Sequence, residues 1–183
     1  KSLLKKYYVM PYNQFDSTDL KDTVSVFIKN NFINVTTDYN DSYTATLVNT
    51  ATIISSGSGP PLGDFGPNTE NEIKYPKFNI PSGLTDDTII VKVDYNFTTT
   101  AEAGEPASVL ANNTITHNQV FSNFYAYDDG SPERGYRVFD LPYYKMAVKY
   151  GIRKPDTLQA IKLQVFPVYV DNSKATFSIC VWK

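Results

Sequence analysis

The densest run of chemically capable side chains is Phe124-Tyr125-Ala126-Tyr127-Asp128-Asp129-Gly130-Ser131-Pro132-Glu133-Arg134-Gly135-Tyr136. Asp128, Asp129 and Glu133 place three carboxylates within six residues. Hard cations need several oxygen ligands, and an acidic turn supplies them through side chains and carbonyls. These three residues are therefore candidate ligands for a structural calcium, although their spacing is not that of an EF-hand loop. The same run also reads as a plain turn. Asp128 or Asp129 accepts backbone N–H bonds, Gly130 supplies a positive φ, and Arg134 pairs a carboxylate. Catalysis by paired carboxylates is not expected. Adjacent Asp128 and Asp129 face opposite sides of an extended strand, and no second acidic cluster opposes them.

Aromatic side chains offer a second chemistry. Tyr125, Tyr127 and Tyr136, with Tyr143 and Tyr144, are candidates to stack on sugar rings. As strand residues they equally bury the ring and keep the hydroxyl wet. The single cysteine, Cys180, excludes an internal disulfide and reads as a buried thiol in a strand. The single histidine, His117, lies in a polar stretch, and nothing local pairs it with Cys180 as a nucleophilic dyad.

Elements able to position these groups follow from period-two patterning. In residues 87–97, Ile89, Val91, Val93, Tyr95 and Phe97 share one face, and Lys92, Asp94 and Asn96 the other. That predicts a strand with one wet side. Thr23 to Lys29 repeats the pattern with Val24, Val26 and Ile28 inward, and Ser42 to Val48 does so more weakly. Three later runs also read as strands: Tyr143 to Tyr150, Leu158 to Tyr169 and Thr176 to Trp182. Pro167 places the second of these at an edge or bulge. No run of ten residues shows a convincing 3.6 period, so helix content should be low. Turn clusters fall at Gly57–Gly63, Ile80–Gly83, Ala101–Pro106, Asp128–Pro132 and Asp171–Lys174.

The chain has 183 residues, of which 42% are hydrophobic and 14% aromatic, enough for a real core. Net charge is −2 without a basic stripe, so nucleic acid is a poor partner. No apolar run reaches the roughly 18 residues needed to span a bilayer. The expected fold class is all-β, with tandem β-sandwiches. Residues 1–118 form an immunoglobulin-like sandwich of six or seven strands. Residues 119–183 are too few for a full sandwich and form the N-terminal part of a second one. With Lys1 in place of Met and an abrupt stop at Trp182-Lys183, the chain reads as a piece of something longer.

The acidic tyrosine run resembles the "YAYDDGSAEAGYG" signature of large Bacteroidetes surface and secreted proteins, many exported by the type IX secretion system. Lys154-Pro155-Asp156-Thr157-Leu158 is similar to that family's "PDTL" strand entry. Phe177-Ser178-Ile179-Cys180-Val181-Trp182-Lys183 is similar to its "F-x-L-x-V-W-K" strand. The resemblance covers about residues 119–183 and implies a jelly-roll-like module preceded by an immunoglobulin-like one. Departures are Pro132, Arg134 and Arg137, and Val138 to Pro142 in place of a glycine-rich continuation. Bacteroidetes O-glycosylate exported proteins at Asp-Ser/Thr triplets, which makes Ser17, Thr23, Thr88 and Thr157 candidate glycosylation sites. N-glycosylation sequons at Asn34, Asn40, Asn96 and Asn112 matter only in a eukaryotic secretory host.

Three functions compete. One is a non-catalytic structural or adhesive module, extracellular or at the outer-membrane surface. Its partners would be other domains of a larger parent chain or a surface assembly. The second is a carbohydrate-binding module that takes glycans. The third is an accessory domain of a secreted hydrolase.

Overall fold

The computed structural model describes residues 2–61, 63–131, 145–163 and 178–182. Among the described residues there are seven strands: β1 (Val9–Met10), β2 (Thr23–Lys29), β3 (Asn40–Leu47), β4 (Thr52–Gly57), β5 (Glu70–Pro76), β6 (Ile89–Thr98) and β7 (Thr114–Phe121). Helical structure among the described residues is confined to 3₁₀ turns and one short α-helix, α1 (Ala107–Leu110). The chain is thus β-rich, as its patterning predicts.

The strands form two sheets. One has the order β1-β7-β6-β3-β4, and the other pairs β2 with β5. All neighbours are antiparallel except β1 and β7, where Val9 lies opposite Val120 and Met10 opposite Phe121. Strand β6 is central, and its alternation is fully realised. Ile89, Val91, Val93, Tyr95 and Phe97 are buried while the residues between them are half-buried. The antiparallel register sets Val91 opposite Leu47, Val93 opposite Ala45 and Tyr95 opposite Tyr43, so β3 adds three more buried side chains to the same face.

Both sheets feed one apolar cluster. Val26 of β2 and Ile73 and Tyr75 of β5 join the buried residues of β3, β6 and β7. Three tyrosines link the sheets: the Tyr75 ring lies 5.6 Å from Tyr43, edge-on, and 4.7 Å from Tyr95. Such pairs add to simple area burial. Burial pushes the Tyr95 phenol up to about 12 and the Tyr75 phenol higher still, so both stay neutral.

The N-terminal segment closes one end of the cluster with Leu3, Leu4 and Tyr7. Gln119, 1% exposed on the core face of β7, ties that segment down. Its Oε1 accepts from the Leu3 amide at 3.0 Å and the Ser2 hydroxyl at 2.9 Å, and its Nε2 donates to the Tyr8 carbonyl at 2.7 Å. A buried amide placed this way has its polar atoms satisfied.

Three expectations need adjustment. The border at 118/119 falls inside β7, so Gln119, Val120 and Phe121 stay with the first sheet. In the three later runs, the described residues 145–150, 158–163 and 178–182 form no strand and are exposed. Alternation marks a surface that can pair and be covered, but a strand also needs a ladder partner. No described strand lies beside Met146, Val148, Ile161, Leu163, Ile179 or Val181, and these side chains face solvent. Cys180, expected to be buried, is exposed for the same reason. The expected turn at Asp171–Lys174 lies outside the described residues.

Candidate functional site

After β7 the chain reverses and returns to β1. Ala126 bonds Val9 on the side of β1 away from β7: the Ala126 amide donates to the Val9 carbonyl at 2.9 Å, and the Tyr8 amide donates to the Ala126 carbonyl at 2.7 Å. This bridge fixes Tyr125 and Tyr127 beside Tyr7, with ring centroids at 4.9 and 5.1 Å from it. The Tyr150 ring closes the cluster, 6.1 Å from Tyr7 and stacked on it, 5.8 Å from Tyr125 and 5.2 Å from Tyr127. Lys6 holds its ammonium 4.9 Å from the Tyr7 ring centre, a cation–π arrangement.

Adjacent to the tyrosines, two 3₁₀ turns, Tyr12–Gln14 and Ser17–Asp19, follow β1. The second carries a capping box. The Asp16 carboxylate accepts from the Thr18 amide at 2.8 Å, and Asp19 accepts from the Asp16 amide at 2.9 Å. Both carboxylates are thereby held in place. The Thr18 hydroxyl, its amide and then the nearby Arg153 keep the Asp16 carboxyl below the usual carboxylate range.

Together these elements build a groove, and the segment Lys149–Asp156 occupies it. Gln14, 1% exposed, is its centre. Its Oε1 accepts from the amides of both Arg153 and Lys154 at 2.9 Å, and its Nε2 donates to the Lys154 carbonyl at 3.0 Å. The Gly151 amide donates to the Tyr7 hydroxyl at 2.6 Å, and the Tyr125 hydroxyl donates to the Gly151 carbonyl at 3.3 Å. The Tyr127 hydroxyl and the Lys6 ammonium both donate to the Lys149 carbonyl. Arg153 adds an ion pair, 2.7 Å to Asp19 and 3.4 Å to Asp16. Most of the groove's polar atoms therefore meet main-chain atoms, and Tyr150 and Arg153 add side-chain contacts.

The acidic turn is resolved as a turn. Asp128 Oδ1 accepts from the Gly130 amide at 2.9 Å, Asp129 Oδ1 accepts from the Ser131 amide at 2.9 Å, and Gly130 has φ 90°. Among the described residues no group of three His, Cys, Asp or Glu side chains converges as a metal site. Glu133, Tyr136, Tyr143 and Tyr144 lie outside the described residues. Tyr125 and Tyr127 meet the rings of Tyr7 and Tyr150 and direct their hydroxyls to the Gly151 and Lys149 carbonyls. Ser17, Thr23, Thr88 and Thr157 are all exposed. His117 sits on the core face of β7 opposite Val93, and burial, with Lys21 adding to it, lowers its imidazole to about 4.

Sequence reasoning missed Tyr7, Gln14, Tyr150 and Arg153. The one local signal was the Asp16-Ser17-Thr18-Asp19 string, whose acid pair three residues apart marks a capped turn. No local feature links Gln14 to a segment 140 residues away. Comparison with family models, with curated proteins and with solved structures found no match. No helix among the described residues is long and apolar enough to cross a membrane.

Proposed function

We propose that the chain is a non-catalytic structural or adhesive module of a secreted or cell-surface bacterial protein, exported by a type IX-like route. The observation that carries this reading is the groove around Gln14. Its polar atoms engage the chain's own later main chain, as a joint between parts of one molecule would. Tyr125 and Tyr127 lie at that joint, and both come from the string that carries the family resemblance. The four exposed Asp-Ser/Thr hydroxyls fit an exported, O-glycosylated protein.

The sheet order supports an immunoglobulin-like sandwich for the first module. Strand β2, the pair β3–β4, strand β5 and the pair β6–β7 change sheet at every step along the chain, as Greek-key sandwiches do. The segment it holds then belongs to the N-terminal part of the jelly-roll-like module. In this reading the parent chain and its surface assembly are the partners.

Protease added to intact cells that produce the parent protein tests the placement. The chain should be digested without lysis, and mass spectra of the native material should show glycan on one or more of Ser17, Thr23, Thr88 and Thr157. A chain that resists digestion until the cells are broken would overturn the reading.

A further inference from the structure

We propose that the groove around Gln14 is a peptide-recognition site that also takes the Lys149–Asp156 segment of a second copy, joining two chains by exchange of this strap. The groove is built without the strap. Tyr7 is held by its place in the buried apolar cluster, Tyr125 and Tyr127 by the Val9–Ala126 bridge, and Asp16 and Asp19 by their own capping box. The strap itself lies on the surface. Every described residue from 145 to 163 is exposed, and none belongs to the apolar cluster.

The recognition chemistry is as suited to a second copy as to the same chain. Gln14 reads the amides of Arg153 and Lys154 and the carbonyl of Lys154, and Tyr7 reads the amide of Gly151. Such main-chain contacts fix an extended peptide's direction and register. Selectivity comes from two side chains: Tyr150 completes the aromatic cluster, and Arg153 answers the paired carboxylates of Asp16 and Asp19. A vacated groove leaves Gln14 and the two carboxylates to water, and the identical segment of another copy restores every contact. Exchange of an identical element is a low-cost route to association, because it adds only the docking of a joint that already exists.

Complementation between two full-length variants tests this. A groove variant carries Gln14→Leu with Tyr7→Phe, and a strap variant carries Tyr150→Ala with Arg153→Ala. By analytical ultracentrifugation each alone should be monomeric, and an equimolar mixture should contain a one-to-one dimer. The strap substitutions lie on an exposed segment, and neither residue belongs to the apolar cluster, although Tyr150 meets the Tyr7 ring at its surface, so a second measurement relies on that variant alone. A labelled peptide spanning Val148–Leu158 should bind it saturably by fluorescence anisotropy. The same peptide with alanine in place of Arg153 should bind about tenfold or more weakly. A dimer in the mixture, or saturable arginine-dependent peptide binding, supports the exchange. If the groove variant fails to fold, the peptide decides. A monomeric mixture together with a peptide that does not bind overturns it. That failure would leave the surface-module reading standing, since digestion on intact cells measures something else.

Discussion

Gly59 lies where the chain leaving β4 passes over buried side chains of the opposing sheet. A Cβ there would sit 2.5 Å from the Ile73 Cγ2 atom and 3.4 Å from the Tyr75 ring. Ile73 is fully buried and β-branched, so it cannot swing aside and the chain itself must shift. Gly59→Ala should therefore destabilise the fold by about 1–3 kcal/mol, the usual range for overpacking. Gly63 has open space around it, and Gly63→Ala should change stability by less than about 0.5 kcal/mol. Urea denaturation of the two variants compares them directly; equal midpoints would show that the crowding at Gly59 is not there. His117 gives a pH dependence at the same scale. Its imidazole is lowered from 6.5 to about 4 by burial, so between those values the unfolded chain takes up a proton that the native chain refuses. Stability then falls as pH drops from about 6.5 toward 4 and is unaffected by this group above about 7. The carboxyls of Asp16, Asp38 and Asp129 are held low by hydroxyl and amide donors and act at more acid pH, which leaves the interval from pH 7 to 5 to His117. His117→Gln should flatten the decline in unfolding free energy across that interval, and an unchanged decline would assign it to other groups.

Whether an element could be recognised in advance depended on how far its pattern is local. Strand β6 is legible because its five buried residues alternate without a break, and β2 because Val24, Val26 and Ile28 do the same on a shorter run. Strand β7 is harder to see. His117 and Gln119 occupy its core face between Ile115 and Phe121, so the inner side of the strand is half polar in sequence. A polar residue becomes an inner-face residue only when distant atoms satisfy it, as Ser2, Leu3 and Tyr8 do for Gln119. The acidic turn was legible in kind, through Asp128, Asp129 and Gly130, because Asx turns close within three residues. The groove was not, because Gln14, Tyr7 and Arg153 meet only after the sheet order brings β1 beside Ala126. A prediction at this scale concerns the strap. Gln14→Leu keeps the side-chain volume but removes the acceptor for two amides and the donor to the Lys154 carbonyl. The amides of Arg153 and Lys154 should then exchange with deuterium at least about tenfold faster, with β6 unchanged. Equal protection in the variant would mean that the strap is held by something other than this side chain.

At the scale of the whole molecule, the N-terminal segment and the segment Lys149–Asp156 are both held at the β1 edge of the larger sheet. Gln119 reaches back to Leu3, β1 runs parallel to β7, and Gln14 reaches forward to Lys154. These contacts close long loops, and their cost in chain entropy is recovered only when the buried cluster forms. The N-terminal segment is therefore part of the core rather than an appendage. Leu3 and Leu4 are 2% exposed and Tyr7 is 6% exposed. Burying each such side chain stabilises by about 1.5–3 kcal/mol, and domains of this kind are stable by only about 5–15 kcal/mol. Deleting residues 2–8 removes all three, and with them the Ser2, Leu3 and Tyr8 partners of Gln119, whose Oε1 loses both of its donors in the core while its Nε2 keeps the Val120 carbonyl at 3.2 Å. The losses together are comparable to the entire stability, so the shortened chain should be largely unfolded at 25 °C by near-ultraviolet circular dichroism. The triple variant Leu3→Ala, Leu4→Ala and Tyr7→Ala, which retains the backbone hydrogen bonds to Gln119, should unfold at a lower denaturant concentration than the intact chain and still do so cooperatively. A shortened chain with the intact chain's denaturation midpoint would mean that the core is complete without the N-terminal segment, and that strands β2 to β7 fold as a unit on their own.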